Sequence, residues 1–274
     1  MLRLEIISDA FKDSFRSPRL WLLQFFANPM LFALFVAWLF IPVASNLHLA
    51  YNLIFGFVLT VAVLALHAGT LNSFVDRQSS QNAPLWPAFR RALSHLIPVA
   101  ICVAVFGLLW LLAGKTDAYQ SNVPPYVRST LPVALRRHIT LPTLDNLFSA
   151  AVFFLRWIFL PGLLLPLLAQ TADHGFRGFD KQGLRTWRKT IFSLNYWIVL
   201  VLAALLGVFA IEKLMAWTPN FRTSTIRSEA ISLAWRLSVS YLFGLFSWML
   251  ACSVVGRCTA ARGTSSNVGG DPAA

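Results

Sequence analysis

Acidic residues are scarce in this chain: 11 Asp and Glu stand against 23 Lys and Arg in 274 residues. None falls inside a long apolar run, so a buried ion pair is not expected and proton-coupled transport lacks the membrane carboxylate it ordinarily uses. Cysteine is equally sparse. Cys102, Cys252 and Cys258 form no CxxC pair and sit in or beside apolar segments, which indicates neither a disulfide framework nor a zinc site. The stretches between apolar runs hold no soluble module to present a basic face, so the net charge of +12 does not point to nucleic acid. No residue set has catalytic or metal-ligand spacing, and no cofactor is implied.

Hydrophobicity is what the chain has in excess. Hydrophobic residues make up 57% and charged residues only 12%, against about a quarter charged in soluble domains. A bilayer core of roughly 30 Å needs about 20 helical residues. Six runs are long enough: about 20–43, 49–69, 92–113, 147–169, 191–211 and 233–255. The expected fold is an all-α polytopic membrane bundle of six transmembrane helices with amphipathic juxtamembrane helices, its membrane domain spanning about 20–256.

Residues 1–19 read as a surface helix on the bilayer, with Leu4, Ile7, Phe11 and Phe15 at helical spacing among charged neighbours. A secretory signal would bring an early apolar core and a small-residue cleavage site, and neither is seen. Residues 257–274 read as a disordered tail, Gly- and Ser-rich from Gly263.

Alternate links sort the cations. Fourteen Lys and Arg fall on the side of the two termini and eight on the other, with Arg156 left within a span. By the positive-inside rule both termini are expected in the cytoplasm of a bacterium, with the protein in its inner membrane. A weak repeat marks the approaches to the odd-numbered spans: Phe11 before Lys12, Phe89 before Arg90 and Arg91, and Trp187 before Arg188 and Lys189. These read as three in-plane helices with aromatics at the headgroups and cations at the phosphates of anionic lipids.

Arg156 in the fourth span is the least comfortable residue. A midplane arginine costs about 2.5–3.5 kcal/mol, which the many Leu, Ile, Phe and Val around it offset at roughly 0.3–0.6 each. Pro161 and Pro166, with Gly162 between them, interrupt the helix and should free the carbonyls of Trp157 and Gly162. A cation beside a helix break suggests a ligand or headgroup contact; snorkelling outward or capping freed carbonyls are the structural alternatives.

Other intramembrane polar groups gather toward the terminus side: Gln24, Asn28, His67, Asn72, His95, Gln170, Asp173 and His174. Gln24, Asn28, His67 and Asp173 are candidates for a shared polar vestibule; taken singly, each suits an interhelical hydrogen bond. Ser240, Gly244, Ser247 and Ala251 form a small-residue stripe that admits a close backbone, within the bundle or in a homodimer or complex with another membrane protein.

The run RWIFLP from Arg156 to Pro161, then GLRTWRK from Gly183 to Lys189 ahead of the fifth span, resembles bacterial six-span proteins. These include the membrane domain attached to some glycerophosphoryl diester phosphodiesterases and mostly uncharacterised stand-alone relatives. The resemblance covers roughly Phe148 to Leu206 and implies paired hairpins, surface helices and a place near lipid or envelope metabolism. Its hydrolase barrel has no counterpart here, so only Arg156 and Pro161 carry over, without a catalytic role. The sequence thus reads as a non-enzymatic membrane component that handles or senses an amphiphile or scaffolds partners. The alternative is a small-solute or anion transporter with a central site at Arg156. Transport predicts a water-filled cavity reaching Arg156, scaffolding predicts that side chain sealed, and lipid handling predicts a lateral groove near the fourth and fifth spans.

Overall fold

Six helices are long and apolar enough to cross a membrane: Pro18–Leu39, Asn46–Gln78, Leu96–Tyr119, Leu141–Phe179, Leu194–Ala216 and Ile226–Thr259. The computed structural model describes residues 4–42, 44–79, 83–218 and 226–260. Regular structure there is entirely helical, and the protein is an all-α membrane bundle. The tail expected to be disordered lies from residue 261 onward outside the described residues, while 257–260 complete the last helix.

In chain order the short helix α1 (Leu4–Phe15) leads into the hairpin of α2 (Pro18–Leu39) and α3 (Asn46–Ser79). Next come α4 (Leu85–Ser94), α5 (Leu96–Gly114), and the small far-side helices α6 (Val123–Thr130) and α7 (Val133–Arg136). The fourth span joins α8 (Leu141–Phe153) to α9 (Leu160–His174), and α10 (Lys181–Ile191) leads to the fifth, α11 (Leu194–Ala204) with α12 (Ile211–Ala216). The sixth is α13 (Ile226–Ala260).

Span limits differ from the hydropathy expectation where polar residues continue a helix or a cap starts one. The fourth begins at Leu141, six residues before Leu147, because the Thr140 side chain accepts the Thr143 amide and Pro142 occupies the first turn. The sixth already runs from Ile226, since Arg227 and Glu229 lower hydropathy without stopping a helix. The third starts at Leu96: the chain turns at His95, and Ala92 belongs to α4.

The sixth span is the central post. Of its most apolar window 56% is buried, against 11–22% for the other five. Met249, Leu250, Cys252, Val254 and Val255 pack there with Leu71 and Phe74 of α3 and with Tyr196 and Val199 of α11. Around this post the three short helices α1, α4 and α10 sit at the ends of the spans on one side, here called the terminus side.

These short helices, expected to lie in the plane of the membrane, also pack on the spans. On α1, Ala10, Asp13 and Ser14 are buried, and Ser253 donates a hydrogen bond to the Ala10 carbonyl at 2.9 Å. Arg257 reaches Asp13 at 2.5 Å and Asp9 at 3.1 Å. The repeat aromatics turn inward for the same reason, because each short helix lies beneath other spans and its apolar face meets side chains before lipid. Phe11 packs on Phe246, the Phe89 ring covers Gly69 so closely that a Cβ would come within 2.5 Å of it, and Trp187 donates to the Leu163 carbonyl at 2.6 Å. Lys12, Arg90, Arg185, Arg188 and Lys189 remain exposed.

Candidate functional site

The fourth span widens where its sequence carries the arginine and the prolines. Phe154–Phe159 is a π-helical turn in which the Leu160 amide donates to the Leu155 carbonyl, five residues back. Pro161 has no amide to continue the i to i−4 ladder, and a wider turn just before it accommodates that missing donor. Further on, Pro166 leaves the Gly162 carbonyl without its intrahelical partner, and the Tyr196 hydroxyl of α11 donates to it at 2.8 Å. A second π-turn, Leu205–Ala210, interrupts the fifth span, and its Phe209 meets Phe153, the last residue of α8, with ring centroids 6.4 Å apart.

Arg156 projects from the first π-turn toward the far end of the third span. Its Nη1 donates to Asp117 at 2.8 Å, and its guanidinium lies 4.4 Å from the Trp110 ring centroid. Asp117 belongs to the one-turn helix Lys115–Tyr119 that follows α5, beyond the third span expected from the sequence, and is 54% exposed, so Arg156 reaches outward to a carboxylate at the rim. The Arg156 side chain is 18% exposed, with Nε buried and unpartnered. Stacking on Trp110 and pairing with a carboxylate both lower the cost of holding the cation at this depth.

Below that pair a cavity of about 500 Å³ occupies the middle of the bundle. Its walls are Trp157, Pro161, Leu164 and Leu168 of the fourth span, Leu200, Ala203, Ala204 and Val208 of the fifth, and residues of spans two, three and six. Pro161 thus faces the cavity and Arg156 does not border it. Val63 and Trp157, two of the lining residues, are also 36% and 37% exposed on the flank of the bundle. An apolar chamber bounded partly by flank-exposed side chains suits a hydrocarbon chain and offers nothing to replace the hydration shell of an ion.

Of the four residues considered for a shared vestibule, Gln24 and Asn28 stay in contact, Asn28 and His67 border one smaller chamber, and Asp173 lies apart. Gln24 is fully buried, donating to Thr70 at 2.5 Å and accepting from Asn28 at 2.8 Å, a clasp between α2 and α3. Asp173 lies at the terminus end of α9, where Arg91 donates to it at 2.6 Å and also bonds Asp76 of α3. Burial would lower the Arg91 pKa, but the bond to Asp76 and the two carboxylate charges outweigh it and hold that group above its ordinary value. His95 and Asn72 converge on the Ala172 carbonyl at 3.1 and 2.9 Å. His67 alone lines the cavity; its Nδ1 is buried without a partner, and its ring stands edge-on to Trp248 at 5.0 Å, with Trp248 Nε1 also unpartnered.

Sequence reasoning missed Asp117, Trp110, Tyr196 and Trp248. The freed Gly162 carbonyl signalled that some donor had to exist, and a tyrosine early in the fifth span was a reasonable place to look. No local signal marked Asp117 or Trp248. Gly178 packs on the Gln170 backbone, where a Cβ would lie 2.8 Å from its carbonyl carbon. The small-residue stripe of α13 faces the fifth span: Ser247 donates to the Ala203 carbonyl at 2.6 Å, and a Cβ on Gly207 would fall 2.3 Å from Ser247 Oγ. Among the described residues no three His, Cys, Asp or Glu side chains gather as a metal site. No family model, curated protein or solved structure matches the chain.

Proposed function

We propose that this membrane protein is a non-enzymatic component of a bacterial inner membrane that holds an amphiphile in its central cavity, with both termini in the cytoplasm. One observation carries the reading: a central cavity of about 500 Å³ is walled almost wholly by apolar side chains of the second to sixth spans. Such a chamber inside a bilayer favours lipid chains, which are already at the same depth. The exposed cations of α4 and α10 supply a basic rim for anionic headgroups at the terminus side, consistent with the bias of lysine and arginine toward that side. A place in lipid or envelope metabolism also agrees with the resemblance of the fourth and fifth spans to phosphodiesterase-associated membrane domains. A solute or anion site at Arg156 has less support, because Asp117 already meets the guanidinium and the cavity does not reach it.

Gly244 provides the test. It lines the cavity, and a Cβ there would meet only Ile211 Cδ1, at 3.7 Å, so a side chain can enter without moving backbone. Gly244→Phe is expected to leave the fold intact and to abolish lipid that otherwise stays with the purified protein through extensive detergent washing. Equal retained lipid in both proteins would contradict the reading. For orientation, a cysteine replacing Tyr126, 70% exposed on α6, should react with an impermeant maleimide added to intact cells. Reaction only after permeabilisation would reverse the topology.

A further inference from the structure

The central cavity has a neighbour. A second chamber of about 400 Å³ lies against α2, α3 and α5, and the two share a wall of Val63, Leu64, His67 and Val103. The inner side is walled by aliphatic side chains with Phe106, Trp157 and Trp248, and the outer side by Phe32, Phe35, Trp38 and Leu59 among others. The polar side chains here mostly have partners of their own: Thr60 donates to the Gly56 carbonyl, Asn28 to Gln24 and Ser247 to the Ala203 carbonyl. Two nitrogens do not. His67 Nδ1, at the shared wall, and Trp248 Nε1, beside it on α13, are both buried with no hydrogen-bond partner.

An indole N–H left bare in an apolar interior carries its full desolvation cost, so a native structure that keeps one there calls for a missing acceptor. The acceptor must be uncharged, because no cation borders either chamber. It must also be internal to its molecule, because apolar space extends on both sides of the His67 ring, with Trp248 on the inner side. A terminal headgroup would leave one chamber empty.

We infer that the ligand is a neutral lipid with an ester or amide linkage between two hydrocarbon arms, its carbonyl oxygen accepting from Trp248 and His67 and one arm lying in each chamber. Broad χ2 wells let either ring turn its N–H toward that oxygen. This identification rests on the amphiphile reading above and narrows it.

The test uses the full protein in detergent or nanodiscs with three probes: a long-chain ester with two alkyl arms, an alkane of equal length, and a fatty alcohol with a single arm. Wild type is expected to bind the ester about tenfold more tightly than the alkane, the discrimination that two modest hydrogen bonds provide. His67→Leu with Trp248→Phe, which nearly conserves volume, should bring the ester down to the level of the alkane while leaving alkane binding unchanged. Thr60→Trp, which narrows only the outer chamber, should weaken the ester and spare the alcohol. Equal binding of ester and alkane by wild type, or an unchanged preference in the double variant, would overturn the inference while leaving the cavity reading in place. Binding of none of the three would instead overturn the cavity reading itself.

Discussion

On the terminus side nearly every polar group inside the bundle has a partner on another helix, whereas toward the far side the fourth and fifth spans loosen into π-turns around an apolar cavity. The first region contains the Gln24 clasp with Thr70, the Arg91 bridge from Asp76 to Asp173, the convergence on Ala172 and the Arg257 contacts to α1. The second contains two wide turns and one ion pair at its rim, and the unpartnered His67 and Trp248 nitrogens border the cavity where the two regions meet. Both are built from similarly apolar sequence. Lipid is as apolar as leucine, so hydrophobicity alone does not hold spans together, and the placement of a few polar groups decides which half is locked and which retains space.

Three substitutions test that contrast. Arg257→Leu should do the most damage, costing on the order of 3 kcal/mol, because it removes the closest cation from the buried Asp13 carboxylate, which keeps only Arg16 and Gln78, each at 3.1 Å, and no tie to α13. Thermal unfolding in detergent would register it as a large fall in midpoint; a change no greater than that of a surface variant would mean α1 is not fastened as described. Tyr196→Phe, at the boundary between the halves, strands the Gly162 carbonyl that Pro166 left open and should cost about 1–2 kcal/mol. Adding Pro166→Ala restores an amide to the helix and should recover part of the loss, a rescue that a general packing defect would not show. Asp117→Asn should have the smallest effect, within about 0.5 kcal/mol, since that carboxylate is 54% exposed and the cation keeps its stack on Trp110. A larger loss would place Arg156 among the structural locks.

Much of this was legible before any coordinates. Six apolar runs announced the spans because a bilayer admits little else, and the two prolines announced which carbonyl would need a donor. Ends were misplaced where a helix ran on through charge, as at Arg227 and Glu229, since hydropathy measures lipid preference and not helix continuity. Pairings across distance were beyond reach: Asp117 and Arg156 are 39 residues apart and Tyr196 and Gly162 are 34 apart, and no periodicity links them. Grouping Gln24, Asn28, His67 and Asp173 by their side of the membrane said nothing about which of them touch. Depth is readable from a sequence; rotation about each helix axis, which decides contact, is largely not.

The most direct measurement is a crosslinking map. A lipid with a diazirine in its chain, photolysed with the protein in nanodiscs and followed by peptide mass spectrometry, should mark Leu164, Leu168, Ala204 or Val208, and those adducts should vanish in Gly244→Phe. Adducts confined to outward-facing residues such as Ile97 and Leu108, unchanged by that substitution, would contradict a lipid inside the bundle.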